Sequence, residues 1–349
     1  MTVAPTWSDL FATLVNRQDL TAEQTAWAMG EIMSGAASTP RVAAFLIALK
    51  TKGETVTELT SLADTMLAHA VRITVPGRTI DIVGTGGDRS HTVNVSTMSA
   101  LVVAGAGLTV VKHGNRAASS SSGSADVLEE LGIRLDHAPS RVAELATEVG
   151  ITFCFAQVFH PSFRHTAAAR TELGIGTAFN FLGPLTNPAQ PRSAAIGVAE
   201  ARMAPLLAGV LAGRGASALV FRGEDGLDEI APTGPTRIWE VRDGGVTESV
   251  IDWETDLGVA RITLESLRGA KADYNADVAR QLLDGRTGPV RETVVLNTAA
   301  ALVADGTLPG TADGTLVERL AAGSEHARAA LDSGAAADAL ARWRAASGR

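Results

Sequence analysis

Apolar positions in the first seventy residues recur at helical spacing. Leu10, Phe11, Leu14 and Val15 follow Ser8 as one amphipathic stripe. Thr21 with Gln24, and Thr55 with Glu58, have the form of capping boxes that open helices through about Met33 and His69. Pro40 suits the first turn of another helix, through about Leu49. No strand pattern competes, so residues 1–72 are expected to form a small all-helical domain. From residue 73 the texture changes. Thr79–Val83, Leu108–Lys112, Ile151–Phe155, Ser193–Val198 and Ala216–Phe221 read as short strands, and Asn94–Ala106, Ala125–Leu131 and Met203–Ala212 as helices. Such alternation predicts a largely parallel sheet. Thr236–Val241 and Val246–Ile251 flank Arg242-Asp243-Gly244-Gly245, a hairpin signal that makes the sheet mixed. The last seventy residues read mostly as alanine-rich helix. The expected class is α/β: a small all-helical domain plus a larger α/β domain with a mixed, mostly parallel central sheet flanked by helices.

Composition narrows the class of function. The chain has 349 residues and a formal net charge of −8, which argues against a non-specific nucleic-acid binder. An acidic protein binds a polyphosphate only with local help from backbone amides, a few cations and metal ions. The single cysteine, Cys154, lies in an apolar run and reads as a buried structural residue in a reducing compartment. The first nine residues lack the basic flank and apolar run of a secretory signal. The longest apolar stretch, roughly Val95 to Val111, is broken by Ser and Thr and too short for a bilayer. A cytoplasmic location without membrane contact is expected.

Five segments carry candidate chemistry. In Asp81-Ile-Val-Gly84-Thr85-Gly86-Gly87-Asp88 a strand runs into three glycines, which let backbone N–H groups turn toward an anion. The segment matches neither a dinucleotide fingerprint nor a Walker A loop, and a tight structural turn remains open. Thr92, Asn94, Ser96 and Thr97 surround a predicted helix start, where they either cap the helix or reach a phosphate or hydrated metal. Lys112-His113-Gly114-Asn115-Arg116 follows a strand and leads into Ser119–Ser122, Gly123 and Ser124, a good anion cradle or a solvated loop. Arg170 stands in an alanine-flanked helix before the rigid Gly183-Pro-Leu-Thr-Asn-Pro188 loop; arginine grips a carboxylate in two-pronged fashion, although a lone helical arginine is usually solvated. Glu224, Asp225, Asp228 and Glu229 put four carboxylates in six residues, a charged turn or a Mg²⁺ site beside a substrate phosphate. His113, His160 and His165 have no zinc spacing with the lone cysteine.

The ordered set GTGGD, NVST, KHGNR…SSGSAD, HPSFRH…ARTELGI, GPLTNP and DGLDE resembles the anthranilate phosphoribosyltransferase family. DYNADVARQLLDG and VLNTAAALVADG resemble its tail, so the likeness covers nearly the whole chain. It implies a fold shared with pyrimidine nucleoside phosphorylases, with the active site in a cleft between two domains. A mid-chain segment, about 168–192, would return to the small domain, leaving 73–167 and 193–349 as the large one. The likeness further implies a homodimer.

By that resemblance, Gly84, Gly87, Asp88, Thr92, Asn94, Ser96 and Thr97 would hold phosphoribosyl pyrophosphate. Lys112, His113, Gly114, Asn115, Arg116, Ser119, Ser120 and Ser124 would close over it. Ser96, Asp228 and Glu229 would bind one or two Mg²⁺ ions. Gly84, His113, Asn115 and Arg170 would bind anthranilate, and Lys112, Asn115 and Arg170 would assist the transfer. Arg89 stands where a glycine is more usual, Val93 where phenylalanine is common, and Gly176 where an arginine is frequent. A transferase for another aromatic acid, a pyrimidine nucleoside phosphorylase and a non-catalytic nucleic-acid-binding relative are the alternatives. The acidic pair and KHGNR count against the phosphorylase, and the net charge with the retained acidic pair against the nucleic-acid binder.

Overall fold

The computed structural model of the chain describes residues 4–117 and 121–348. Its N-terminal helices are α1 (Trp7–Val15), α2 (Ala22–Met33), α3 (Thr39–Lys52) and α4 (Val56–Ala68). Reciprocal capping boxes open α2 at Thr21/Gln24 and α4 at Thr55/Glu58. The cap of α1 is Thr6, whose hydroxyl accepts from the Asp9 amide. Trp7 therefore enters the core while Val15 stays exposed. The Trp7 ring lies 5.3 Å from that of Trp27 and 6.0 Å from that of Phe45, joining α1 to α2 and α3. Glu58 is fully buried. Its carboxylate survives there because Thr55, the Leu20 amide (2.9 Å) and the Lys52 ammonium (2.7 Å) converge on it.

Beyond the bundle, strands and helices alternate as β1 (Ile80–Gly84), α5 (Val95–Gly105), β2 (Val110–Gly114), α6 (Ser124–Glu130), α7 (Pro139–Val149) and β3 (Ile151–Phe155). Then come α8 (Ala156–Phe159), α9 (Ala167–Leu173), β4 (Ser193–Gly197), α10 (Met203–Gly213) and β5 (Ser217–Gly223). The chain closes with β6 (Thr236–Arg242), β7 (Gly245–Ile251), α11 (Trp253–Leu257), α12 (Ala272–Leu283), α13 (Pro289–Asp305), α14 (Leu316–Asp332) and α15 (Ala335–Ser347). One seven-stranded sheet runs in the order β3-β2-β1-β4-β5-β6-β7. Its first five strands are parallel and β5-β6-β7 antiparallel. The β6–β7 turn is Asp243-Gly244, both at positive φ (51° and 75°), the two-residue geometry that matches strand twist.

Both faces of the parallel part are covered, as such sheets require. On β4, Ala194 and Ile196 join α1–α4 and α10 in one core, while Ala195 joins α5 and α13–α15 in the other. Every residue of α13 from Thr293 to Asp305 is buried, which suits a helix apolar on all sides. Phe179, Phe181, Leu182 and Leu185, from the turns after α9, share the core of α1–α4.

From β1 the chain steps to β2 and β3 on one side, then returns to β4 on the other. In open α/β sheets, the crevice outside the strand ends at such a switch point is where ligands sit. Here the register pairs Gly84 with Gly197, so two glycines end the adjacent strands. At the end of α5, a Cβ on Gly105 would stand 2.7 Å from the Ala336 backbone. Gly105→Ala is expected to cost about 1–3 kcal/mol in urea unfolding by forcing α5 and α15 apart; an unchanged midpoint would mean the two helices separate without loss.

Candidate active site

The site is built where β1 and β4 end. Gly86 and Gly87 continue β1 at φ 69° and 93°, and the Gly86 amide donates to Asp228 Oδ2 at 2.6 Å. A Cβ on Gly84 would stand 2.6 Å from the same Oδ2, and a Cβ on Gly197 only 1.6 Å from the Asp228 carbonyl oxygen. The paired glycines thus make room for the acidic segment that follows β5. That segment has no regular structure of its own. Asn297 on α13 holds it, accepting from the Ile230 amide (3.0 Å) and donating to the Ile230 carbonyl (2.7 Å).

Three carboxylates gather here. Burial, then the neighbouring Asp88, pushes Asp228 up to about 8. Burial and Asp228 push Glu229 well above the carboxylate range, with Lys112 and the Ser96 amide pulling it back. One Asp88 oxygen accepts from the Ser90 amide (3.0 Å); the other is buried and takes no hydrogen bond among the described residues. Lys112 lies beneath this cluster, 1% exposed. Its ammonium donates to the Ile82 carbonyl and, at 3.2 Å, to Ser96 Oγ. Burial lowers its pKa, and Asp81 and Glu229 partly restore it. Lys112, Ser96 and Glu229 are therefore brought together, with the lysine under the groove rather than over it.

Asn94 stands at the N-cap of α5 but makes no capping bond with its side chain. Its Nδ2 donates to the Ser122 carbonyl (3.2 Å), and its Oδ1 accepts from Asn275 Nδ2 (2.7 Å). Thr92 bridges to Arg268, and the buried Thr97 hydroxyl has no partner among the described residues. Arg89 holds a φ of 61°, the conformation glycine adopts most freely, so the loop keeps a glycine-like backbone despite the side chain. Val93 is buried.

After β2, Gly114 and Asn115 lead outward. The Asn115 Oδ1 accepts from the next amide, Arg116, at 2.8 Å. The Arg116 guanidinium turns onto α6, bonding Glu129 at 2.6 and 2.8 Å and Asp126 at 3.0 Å, 5.4 Å over the Phe155 ring. Those carboxylates raise its pKa. The other Asp126 oxygen accepts from the amides of Ala117 (3.1 Å) and Gly123 (2.8 Å), and Ser124 opens α6. Ser119 and Ser120 lie outside the described residues.

The rings of His113 and His160 lie 5.1 Å apart, tilted by 49° to one another. Each accounts for one ring nitrogen on a backbone carbonyl, His113 Nδ1 on Gly183 and His160 Nε2 on Thr186, both at 2.9 Å. Their second nitrogens are buried without partners among the described residues. Arg170, on α9, lies 5.0 Å over the Phe163 ring and makes no ion pair among the described residues; burial lowers its pKa. Sequence reasoning passed over Asp81 and Asn187. Asp81 accepts from the His113 amide (3.1 Å) and from Asn187 Nδ2 (2.9 Å), and that Nδ2 also donates to the Val111 carbonyl (2.7 Å). An acidic residue inside an apolar strand run was the available signal.

Residues 8–70 match the helical bundle domain, and residues 76–337 the a/b domain, of the glycosyl transferase family. Over 344 residues the chain is 61% identical to the anthranilate phosphoribosyltransferase of Streptomyces griseus, covering 99% of this chain and 96% of that one. It is 59% identical to that of an Arthrobacter species, covering 97% and 95%. The chain belongs to the anthranilate phosphoribosyltransferase family. Among solved members of this family, the Thermus thermophilus enzyme superposes with a TM-score of 0.90 at 40% identity, covering 98% of this chain and all of that one. The Saccharomyces cerevisiae anthranilate phosphoribosyltransferase in complex with PRPP and Mg does so with a TM-score of 0.87 at 26% identity, covering 98% of each chain. No helix among the described residues is long and apolar enough to cross a membrane.

Gly197→Ala should lower turnover by roughly 100-fold or more, because the Asp228 peptide must move; steady-state rates near those of the parent enzyme would show that the contact is dispensable. The histidine pair gives a pH signature. Burial pushes His113 down to about 4 and His160 to about 3, from an ordinary 6.5. Below 6.5 the unfolded chain takes up protons the folded chain refuses, so stability present above that pH is lost as pH falls toward 4. Thermal melts of His113→Gln/His160→Gln should show a shallower fall over that interval.

Proposed function

We propose that this chain transfers the phosphoribosyl group of PRPP to the amine of anthranilate, releasing pyrophosphate, in tryptophan biosynthesis in the cytoplasm. The observation that carries the reading is the convergence of Gly84, Gly86, Ser96, Asp228 and Glu229 at the β1–β4 switch point. The yeast relative solved with PRPP and Mg supports it. Gly84, Gly87, Asp88, Thr92, Asn94, Ser96 and Thr97, with the loop from Lys112 to Ser120 and Ser124, would form the donor site. Asn115, Arg170, His113 and Gly84 would receive anthranilate. We further propose that residues 168–192 belong with residues 1–72 as a small domain, as their shared core suggests, and that two chains pair as a homodimer.

The residues fit a divalent cation. Among the described residues Asp88 keeps a buried oxygen without a donor, and burial drives Asp228 and Glu229 toward their protonated forms, helped by repulsion from Asp88 on the first and from Asp228 on the second. A cation would relieve that repulsion. Mg²⁺ typically takes one or two carboxylates and completes its shell with water and substrate phosphate. One or two ions, on Asp228, Glu229 and Ser96, would be held this way. When bound, Mg²⁺ supplies positive charge against the pyrophosphate leaving group.

Anthranilate is an aromatic amine and a weak nucleophile, so departure of pyrophosphate sets the pace and the sugar becomes cationic. Within the Gly84–Asp88 turn the Thr85 and Gly86 amides are spent on Gly197 and Asp228, so the Gly87 and Asp88 amides would be the ones to meet the anion. Lys112 fixes the Ser96 hydroxyl from below. Asn115 and Arg170 position the acceptor, Arg170 through its carboxylate, a task for which an unpaired guanidinium is available. No general base is required, since the protonated aromatic amine loses its proton readily.

Anthranilate fluorescence followed with PRPP, in Mg²⁺ and then in EDTA, tests donor, acceptor and metal together; intact protein that consumes no anthranilate in Mg²⁺ would overturn the reading. Asp228→Asn/Glu229→Gln should abolish turnover. Arg170→Ala should raise the KM for anthranilate about tenfold or more, leaving that for PRPP near its starting value.

A further inference from the structure

The DYNADV and VLNTAA segments have no part in the reading above, yet each carries a buried asparagine. Asn275, 3% exposed, lies in the first turns of α12; Asn297, 0% exposed, lies within α13. Neither faces the groove from a strand end. Both spend their side-chain hydrogen bonds on segments that do.

Asn275 Oδ1 accepts from the Ala270 amide (2.9 Å), which sets the orientation of its own amide group. Its Nδ2 then donates to Asn94 Oδ1 at 2.7 Å. With its oxygen so engaged, Asn94 must turn its NH₂ the other way, where it reaches the Ser122 carbonyl. Asn94 precedes α5 and makes no capping bond with its side chain, so nothing within its own element fixes this rotamer.

Asn297 grips both backbone groups of Ile230, as a neighbouring strand would. A further bond from its Nδ2 to the Thr293 carbonyl (2.8 Å) locks the side chain to its own helix. The residues just before Ile230 are Asp228 and Glu229, in a stretch without helix or strand. Their placement rests on Gly86 at one end and on Asn297 at the other.

We propose that Asn275 and Asn297 are positioning residues for the donor site: Asn275 sets the Asn94 amide, and Asn297 sets the acidic pair through Ile230. The two act on separate parts of one site, polyphosphate contact and cation contact. The inference rests on the proposed placement of Asn94 and of Asp228–Glu229 in that site.

The test is calorimetric binding of PRPP with Mg²⁺, and of Mn²⁺ alone as a cation probe, to the full chain, with thermal melts and steady-state constants alongside. Asn275→Ala is expected to weaken PRPP about tenfold or more while Mn²⁺ affinity and the KM for anthranilate stay within twofold, since partners one step behind a ligand commonly matter at that level. Asn297→Asp, which keeps the acceptor but loses the donor, is expected to weaken Mn²⁺ about tenfold or more and to raise half-saturating Mg²⁺ in the assay in parallel. Should that variant not fold, Asn297→Ser, which retains one polar atom toward Ile230, is expected to show a smaller shift in the same two quantities. Asn94→Ala and Asp228→Asn run in parallel. If these two leave PRPP and Mn²⁺ binding intact, the site reading itself fails. If they weaken binding while the Asn275 and Asn297 variants bind like the parent, or lose only melting temperature, the positioning roles are overturned.

Discussion

The contact between the Asp228 peptide and Gly197 is the constraint from which the site follows. A Cβ at that glycine would fall 1.6 Å from a carbonyl oxygen, so β4 must end in a residue without a side chain. Strand pairing sets Gly197 beside Gly84, and the same acidic segment presses against that second glycine. Two main chains and one loop thereby share a space that would otherwise hold side chains. The Gly86 amide, aimed at the Asp228 carboxylate, completes the closure.

Around that closure the protein buries more charge than a fold needs. Asp81, Lys112 and Asp228 are each nearly inaccessible, and Glu58 and Lys52 repeat the pattern in the helical bundle. Ions so far from water persist only where donors and acceptors converge on them. Asp81 has the His113 amide and Asn187, and Lys112 has Ile82 and Ser96. Burial shifts Asp81 and Lys112 toward neutrality as well, but only Asp228 and Glu229 also have a like charge pressing on them, Asp88 on the first and Asp228 on the second. That imbalance marks the place where something outside the chain is wanted.

Local signals were read well because they are local. The boxes at Thr21 and Thr55 involve residues three apart, and Ile151–Phe155 is a strand because an unbroken apolar run suits a parallel sheet buried on both faces. The Asp-Gly turn at 243–244 is equally self-contained. Helix α7 was passed over although Val142, Leu145, Ala146 and Val149 sit at helical spacing behind a proline. The site was legible as a set of motifs, but not as an arrangement. Lys112 and Arg116 read alike as cations beside a strand end, yet one descends to the Ile82 carbonyl and the other turns onto α6. Only the strand order and the partners on α6 decide that, and neither is written near those residues. Asn275 and Asn297 were invisible for the same reason, since their partners lie 181 and 67 positions away.

The burial of Lys112 has one more consequence. With that lysine underneath and Arg116 engaged by Glu129 and Asp126, the acidic groups of Asp228 and Glu229 stand at the strand ends, held toward their neutral forms until a cation comes to them. A naked polyanion brings nothing that could ionise them, whereas one that arrives as a salt, with its counter-ion attached, does. The groove therefore sorts its visitors by whether their charge has already been balanced, before any of their shape is read.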